Sequence, residues 1–307
     1  MQTILGSGGA IGVELAKALS KFTTDIRLVS RNPKKVNTTD TLFAADVTIQ
    51  EQIEKAIQGS TVCYVTVGFE YKTKVWQERL PAFIKHVVET CIKHETKLVF
   101  FDNVYAIGGD NVKHITENSP VSPSSKKGEI RAAIDQHIIQ QVEKGKLNAV
   151  IARSPDFFGP IKGNSLMMNM VYDNMVKGKS AQWFCNADVI HSMGYAHDLA
   201  EGTAILGNSP QAFNQIWNLP VDKNALTGKQ WVKLFADEMH ASDKVQVLPA
   251  FGMRVLGLLV PIIKEIYEMR YQFDREYYFD SSKFINAFAY TPTTNKEAIQ
   301  QTIAALR

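Results

Sequence analysis

Short apolar runs alternate with longer amphipathic segments along the first half of the chain. The apolar runs predict strands near residues 2–5, 25–30, 41–45, 61–67, 97–101 and 147–152. Between them, apolar positions recur at helical spacing and predict helices near residues 9–21, 49–58, 74–94 and 125–144. Strands that alternate with helices in this way are typical of βαβ units. We therefore predict an α/β fold with a doubly wound parallel sheet.

The alternation weakens after about residue 155. Helical patterns near residues 164–177, 197–207, 227–240 and 251–270 are separated by short strand-like runs. This pattern predicts a smaller, mostly helical C-terminal lobe. No low-complexity linker separates the two halves, so we expect the lobe to be partly interleaved with the first domain.

A glycine-rich turn joins the first predicted strand to the first predicted helix. It consists of Gly6, Ser7, Gly8, Gly9, Ala10, Ile11 and Gly12. Glycines at such a turn leave room for a pyrophosphate, and the following helix N-terminus offers N–H groups and a positive dipole end to phosphates. The turn predicts a dinucleotide-binding domain over residues 1–155, which leaves residues 156–307 as a substrate lobe.

The end of the second predicted strand bears on the choice of cofactor. NAD-preferring sites usually place a carboxylate there for the ribose 2′-hydroxyl. Here Ser30 and Arg31 are followed by Asn32-Pro33-Lys34-Lys35, and no carboxylate is present. Arg31 can form charge-assisted hydrogen bonds to a 2′-phosphate, and Ser30 can donate to it. We therefore expect NADP, with NAD as the alternative.

The third and fourth predicted strands end in two further candidate contacts. Asp46-Val47 follows the third strand, and its carboxylate can accept a hydrogen bond from the adenine amino group. Asp46 can equally cap the next helix, because a helical run with Glu51 in its first turn follows. Thr66-Val67-Gly68 ends the fourth strand, where the glycine would allow close backbone approach to the cofactor.

Composition narrows the class of protein and its partners. The 307 residues are 45% hydrophobic and 21% charged, with a net charge of +3 from scattered basic residues, so we predict no nucleic-acid partner. Three distant cysteines lack metal-ligand spacing and favour a reducing compartment without a metal site. We expect a cytoplasmic protein with a small-molecule substrate, and a homodimer is the candidate assembly.

The most apolar run is Val255–Ile263, which is too short to cross a bilayer and is interrupted by Pro261. We interpret it as a buried helix or as the wall of an apolar pocket. The first apolar run is only a strand long and leads into glycines, so we predict no signal peptide. Together these features predict that the protein has no membrane partner.

Five motifs along nearly the whole chain resemble one superfamily when their order and spacing are taken together. They are the glycine turn, Asp102–Gly108, Arg153–Pro160, Tyr195–Ala200 and the tail from Asp280 to Pro292. They resemble the short-chain dehydrogenase/reductase superfamily, in its extended and atypical branch of NAD(P)-dependent epimerase/dehydratase-like proteins. The resemblance implies a Rossmann-type cofactor domain with a C-terminal substrate lobe. It also implies that backbone near Ser154 and Pro155 faces the nicotinamide carboxamide.

One departure from that superfamily concerns the proton donor. The family usually uses a tyrosine and a lysine four residues later, on the helix after the fifth strand. In this chain the helix contains no tyrosine, and none lies between Tyr105 and Tyr172. Lys127 and Arg131 have the four-residue spacing and would share one helix face.

Two explanations of this departure are open. In the first, Tyr105 is the proton donor, Lys127 lowers its pKa, and Asp102 and Asn103 orient the substrate oxygen. In the second, redox chemistry has been lost and the protein only binds the nucleotide. A structural role for Tyr105 and Lys127 is a further alternative.

The substrate lobe holds weaker candidates. Phe157 and Phe158 could line a reaction cleft, although a core position is favoured for Phe158. Lys162 and Asn164 could contact a polar substrate. His191 and His197 have no carboxylate at ligand spacing, which favours structural roles for both.

These observations predict an NADP-dependent oxidoreductase or epimerase-like enzyme. It would act on a carbonyl or alcohol of a small molecule, and a nucleotide sugar is a candidate substrate. The alternative is a non-catalytic NAD(P)-binding sensor that has lost the usual catalytic tyrosine.

Overall fold

The computed structural model describes residues 1–161 and 165–307. Its strands are β1 Gln2–Leu5, β2 Ile26–Ser30, β3 Thr41–Ala44, β4 Val62–Val65, β5 Lys97–Asp102, β6 Ala149–Arg153, β7 Phe157–Phe158, β8 Ala181–Phe184, β9 Gly194–Tyr195, β10 Gln215–Asn218 and β11 Val245–Leu248. Its helices are α1 Ala10–Leu19, α2 Gln50–Ile57, α3 Thr73–Lys93, α4 Lys126–Glu143, α5 Asp173–Val176, α6 Ala196–Gly207, α7 Gly228–Met239, α8 Ala250–Leu256, α9 Pro261–Tyr267, α10 Ser282–Phe288 and α11 Asn295–Leu306. A π-helical turn, Met168–Tyr172, precedes α5.

A seven-stranded parallel sheet organises the first part of the chain. Its strand order is β10-β6-β5-β4-β1-β2-β3, and every neighbouring pair is parallel. In register, Leu5 of β1 lies opposite Val29 of β2 on one side and Val65 of β4 on the other. The chain order reverses between β1 and β4, which is where ligands bind in open parallel sheets. The predicted α/β class and doubly wound sheet are confirmed.

The central strands of the sheet are buried on both faces, so they show no regular alternation of apolar and polar residues. All four residues of β1 and all four of β4 are buried, because helices cover both faces of a parallel sheet. Edge strand β3 is mostly exposed and carries Thr41 and Leu42 at its start. Helix α1 buries one face, including Ile11, Leu15 and Leu19. Burial of this apolar face holds α1 in place at the end of the glycine-rich turn.

The chain groups into two compact units, each built from separate stretches. Unit 1 comprises residues 1–103, 129–154 and 199–219 and holds the seven-stranded sheet. Unit 2 comprises residues 104–128, 155–198 and 220–307. Within unit 2, β8 pairs with β11 and β7 pairs with β9, both in parallel.

The predicted helix over residues 251–270 is interrupted, and the expected burial of its apolar run is wrong. Proline cannot donate a backbone hydrogen bond and disfavours helical geometry in the preceding residue, so α8 ends before Pro261 and α9 begins there. The two short helices bury Met253 and Ile266, while Leu258 and Leu259 between them face solvent. No helix among the described residues is long and apolar enough to span a membrane.

Candidate functional site

Two glycines of the turn at the end of β1 are required by packing. Gly6 has a φ of +94°, and a Cβ built there would lie 2.8 Å from the backbone nitrogen of Val67. A Cβ on Gly12 would overlap the carbonyl oxygen of Gly6 and lie 2.8 Å from the Cα of Ser7. Only glycine therefore lets β1, the end of β4 and α1 approach this closely.

At Gly8 and Gly9, by contrast, an added Cβ would make only ordinary van der Waals contacts. The nearest atom to a Cβ on Gly8 would be the Ser30 Oγ at 3.9 Å, and on Gly9 it would be the Gly6 carbonyl oxygen at 3.4 Å. Packing therefore does not demand a glycine at position 8. What the missing side chain provides there is room above the turn, where a phosphate group could approach the backbone.

Polar groups around this space lack partners within the protein. Among the described residues, the buried Ser7 Oγ and Ser30 Oγ have no hydrogen-bond partner. Gly9 is the N-cap of α1 and has no side chain that could cap the helix. Buried hydroxyls are normally satisfied, so a ligand that accepts hydrogen bonds fits this place. The residues present therefore fit the pyrophosphate and ribose of a dinucleotide.

Two residues predicted to bind the cofactor follow β2 and β3. Arg31 is exposed, and Asp46 forms hydrogen bonds with a neighbour in the sequence. The Arg31 side chain is exposed next to Ser30. The Asp46 carboxylate accepts hydrogen bonds from the Thr48 nitrogen at 2.9 Å and the Thr48 hydroxyl at 2.7 Å. These bonds, with smaller contributions from Arg31 and Arg79, lower the pKa of Asp46.

Asp46 is not the N-cap of α2, so that alternative is wrong. The N-cap is Ile49, and Asp46 instead closes a turn three residues earlier. An Asp side chain readily forms such a turn by accepting from the backbone two residues later. The contact of Asp46-Val47 with an adenine stays a prediction.

The end of β4 braces the glycine turn. The Thr66 hydroxyl donates to the Leu5 carbonyl oxygen at 3.1 Å, and the Thr66 nitrogen donates to the same oxygen at 2.9 Å. A Cβ built on Gly68 would meet no atom of the described structure within 4 Å. Thr66 therefore has a structural role, Val67 borders the turn where the sequence expects the cofactor, and Gly68 faces open space.

A buried charge cluster lies at the ends of β5 and β6. Arg131 of α4 donates to Asp102 Oδ1 at 2.7 Å, and Arg153 donates to Asp135 Oδ2 at 3.2 Å. The Arg131 guanidinium also lies over the Trp76 ring, 4.8 Å from its centroid. This cluster fixes Asp102, which the sequence proposed as a group orienting substrate, through an ion pair that sequence reasoning did not identify.

The carboxylate of Asp102 affects the pKa of the neighbouring Asp135. Burial raises the pKa of Asp135 well above its ordinary value, the negative charge of Asp102 raises it further, and Arg153 opposes both effects. Asp102 Oδ2 and Asp135 Oδ1 are buried and accept from no donor among the described residues. A proton on the Asp135 carboxyl would remove its repulsion with the Asp102 carboxylate.

Lys127 forms ion pairs with two carboxylates, Glu265 in α9 and Glu268 directly after that helix. The sequence predicted that Lys127 lowers the pKa of Tyr105. The lysine side chain is fully buried, and its Nζ lies 2.6 Å from Glu265 Oε2 and 2.6 Å from Glu268 Oε1. It also donates to the Glu265 carbonyl oxygen at 3.2 Å. Sequence reasoning missed both glutamates; their spacing of three residues on one helix face was the available signal. The effect of Lys127 on Tyr105 stays a prediction.

Tyr105 lies beside the start of α4. Its carbonyl oxygen accepts from the Tyr271 hydroxyl at 3.3 Å, and a Cβ on Gly128 would overlap that same oxygen. The Tyr271 hydroxyl also bonds the Ser125 side chain, while burial raises the pKa of Tyr271. These contacts fix the backbone of Tyr105 within unit 2, so Gly128 and Tyr271 position the residue that the sequence proposes as acid.

The remaining candidates in unit 2 are mainly structural. His191 is buried between the rings of Phe273 and Tyr277, and its ring nitrogens bond Asp156 Oδ2 at 3.1 Å and the Gln272 carbonyl oxygen at 3.0 Å. The favoured structural role for this histidine is confirmed, although its carboxylate partner was not foreseen.

Phe158 is fully buried against Tyr195, Trp231 and Phe235, which confirms its core position. Lys162 and Asn164 lie outside the described residues. No group of three His, Cys, Asp or Glu side chains within the described ranges could hold a metal ion.

A model of the NAD-dependent epimerase/dehydratase family matches residues 3–219. The chain belongs to this family. It is an NAD(P)-dependent enzyme of the epimerase/dehydratase type, as the resemblance to short-chain dehydrogenases/reductases implied, and this favours the enzyme over the non-catalytic sensor. A search of curated proteins found no match.

Solved structures of epimerases and dehydratases share the fold of this family member. UDP-glucose 4-epimerase of Thermus thermophilus, solved with NAD, matches with a TM-score of 0.79 at 16% identity, covering 100% of this chain and 99% of the other. The Thermotoga maritima UDP-glucose 4-epimerase, solved with UDP-glucose, matches at 0.80 and 15% identity, covering 100% and 99%. The Bacillus anthracis dTDP-glucose 4,6-dehydratase, in complex with NAD, matches at 0.79 and 15%, covering 99% and 95%.

Proposed function

We propose that this enzyme is an NADP-preferring oxidoreductase or epimerase that acts on a carbonyl or alcohol carbon of a small molecule. The observation that carries the proposal has two parts: an added Cβ at Gly8 would meet no atom closer than the Ser30 Oγ at 3.9 Å, which leaves space above the turn, and the buried Ser7 and Ser30 hydroxyls have no hydrogen-bond partner among the described residues. A hydrogen-bond acceptor in that space would satisfy both hydroxyls, and the uncapped N-terminus of α1 would face its negative charge.

The preference for NADP rests on the end of β2. The exposed Arg31 guanidinium could pair with a 2′-phosphate, and Ser30 could donate to it. The stretch from Ser30 to Lys35 has three cations and no carboxylate, so it lacks the usual acceptor for a ribose 2′-hydroxyl. NAD is the alternative, and it is the cofactor in two of the neighbouring structures described above.

The chemistry proposed for the site divides between the cofactor and the chain. A bound nicotinamide would supply hydride exchange at its C4 atom. The chain would exclude water, orient the substrate oxygen through Asn103, and hold a proton on the Tyr105 hydroxyl. Arg131 restrains Asp102 through their 2.7 Å hydrogen bond, so we assign Asp102 to positioning the end of β5.

The substrate class is proposed from the family and its neighbours. Nucleotide sugars are named for the neighbouring epimerase with UDP-glucose and the neighbouring dTDP-glucose dehydratase. For this enzyme, a nucleotide sugar with a free 4-hydroxyl or a 4-keto group is therefore the first class to assay. Simple aldehydes and ketones form the second class.

Calorimetric titration with NADP and NAD tests the cofactor assignment. We expect NADP to bind at least about tenfold more tightly, because one charge-assisted pair contributes about 1.5–3 kcal/mol. Arg31→Ala should remove most of that preference. The matched control is Lys34→Ala, an exposed cation three residues further along. Equal or tighter binding of NAD to the unmodified enzyme would overturn the NADP assignment.

A further inference from the structure

Helices α8 and α9 form a hairpin whose outer face is apolar and exposed. Phe251 is 78% exposed, and Leu258 and Leu259 at the tip are 83% and 82% exposed. Val255 and Ile262 extend the same exposed set along the two helices. Single exposed apolar side chains are ordinary, but a contiguous group of this kind marks an interaction surface. We call these five residues the hairpin face.

The hairpin is closed too tightly for these side chains to turn inward. The Gly257 nitrogen donates to the Met253 carbonyl oxygen at 2.8 Å, and the Val260 nitrogen donates to the Leu256 carbonyl oxygen at 2.8 Å. A Cβ on Gly257 would lie 3.2 Å from the backbone nitrogen of Lys264, so the two helices meet at this glycine. The turn thus presents Leu258 and Leu259 at its outer end.

The inner face of the hairpin is anchored to unit 2. Met253 and Ile266 are buried, and Glu265 binds the fully buried Lys127. These two buried side chains and the ion pair tie the inner side of the hairpin to unit 2 and leave the hairpin face exposed.

Charge on the hairpin favours one kind of partner. The stretch from residue 249 to residue 264 contains Arg254 and Lys264 and no acidic residue, and both cations are exposed. A surface that is both apolar and positively charged is complementary to a partner that is negatively charged and can also take up apolar side chains. Pairing this face with a second copy of itself would bring two patches of the same positive charge together, which is unfavourable.

We propose that the hairpin face docks on an anionic lipid surface. Leu258 and Leu259 would enter the boundary between headgroups and acyl chains, with Phe251, Val255 and Ile262 beside them. Arg254 and Lys264 would remain at the depth of the lipid phosphates, as long cationic side chains do at membrane interfaces. The enzyme would thus bind the membrane surface without spanning it, whereas the sequence predicted no membrane partner.

Co-sedimentation of the full chain with lipid vesicles tests this proposal. The probes are phosphatidylcholine vesicles with and without phosphatidylglycerol. We expect binding to the anionic vesicles, and Leu258→Asp combined with Leu259→Asp should weaken it at least about tenfold. Arg254→Gln with Lys264→Gln should weaken anionic binding by roughly fivefold per cation. The matched control, Phe22→Asp with Val121→Asp, changes two exposed apolar residues elsewhere and should bind like the unmodified chain.

Three outcomes would overturn the proposal. The unmodified chain could stay in the supernatant with anionic vesicles, or the Leu258→Asp, Leu259→Asp variant could bind them equally well. The third outcome is a dimer in solution that this variant converts to a monomer, measured by light scattering. That result would assign the hairpin face to a second copy of the chain.

Discussion

The Lys127 ammonium lies 2.6 Å from Glu268 Oε1, and the lysine side chain is fully buried at the start of α4. Glu265 accepts from the same nitrogen at 2.6 Å, so two carboxylates surround one cation. A buried cation in this arrangement depends on its partners, and removing one side of such a pair is usually costly. The first turn of α4 is therefore tied to α9 at the position where the family resemblance expects catalytic groups.

Replacing Lys127 with Met should destabilise the protein by about 3 kcal/mol. The substitution keeps an extended apolar side chain but leaves Glu265 and Glu268 facing each other without a cation. Urea unfolding measures the change in free energy. The neighbouring exposed Lys126→Met is the control and should lie within about 0.5 kcal/mol of the unmodified protein. Equal losses in the two variants would contradict the role given to this ion pair.

Asp102 and Asp135 should respond differently to neutralisation. Asp102→Asn leaves the buried Arg131 without its carboxylate and should cost about 3 kcal/mol. Asp135→Asn removes a charge that burial and the neighbouring Asp102 both disfavour, which offsets part of the loss of its bond to Arg153, so it should cost less than Asp102→Asn. Thermal and urea unfolding of both variants measure this difference. A larger loss for Asp135→Asn would show that its ionised form is the one the fold requires.

The raised pKa of Asp135 predicts a pH dependence of stability. Above the ordinary Asp pKa of about 4, the unfolded chain releases this proton while the folded protein still holds it. The folded state then binds more protons, so this group makes stability fall as pH rises, until the pH passes the raised folded-state pKa. The slope is up to about 1.4 kcal/mol per pH unit. Subtracting the Asp135→Asn curve isolates it, and superimposable curves would rule out a raised pKa.

Alanine substitutions should distinguish the glycines of the turn that are required by packing from those that face the ligand site. Gly12→Ala places a Cβ against the Gly6 carbonyl oxygen and should cost more than about 3 kcal/mol of stability. Gly8→Ala meets nothing closer than the Ser30 Oγ at 3.9 Å. It should therefore cost less than about 1 kcal/mol. Unfolding by urea measures both, and comparable losses would mean that the turn is packed on both sides.

Tyr105→Phe tests the proton donor proposed for the enzyme. Loss of the hydroxyl should lower kcat by about 100-fold or more without a comparable change in NADP affinity, as expected for a general acid. The control is Tyr278→Phe, because Tyr278 is partly exposed and its ring packs at a tilted angle beside His114. Unchanged kcat in Tyr105→Phe would remove Tyr105 from the reaction.

Local features of the sequence determined how much of this structure could be predicted. The apolar runs of β1 and β4 and the Gly6 and Gly12 positions follow rules that operate within a few residues. The spacing of Glu265 and Glu268 predicts a shared helix face, but it does not identify their partner, because Lys127 lies 141 positions away from Glu268 in the sequence. The exposure of the apolar run that begins at Val255 could not be predicted either, because the burial of a helix depends on what packs against it as well as on its own residues.

Binding of NADP to the turn at residues 6–12 is the central claim, and calorimetric titration tests it most directly. Gly8→Val should fold like the unmodified protein yet lose at least about 100-fold in NADP affinity, because its side chain would fill the space above the turn. Thr24→Val introduces the same side chain at an exposed position and should leave affinity unchanged. Binding by the unmodified protein and the control, with this loss in Gly8→Val, is the predicted result. Equal NADP affinity in Gly8→Val, or no binding of either NADP or NAD by the unmodified protein at millimolar concentration, would contradict it.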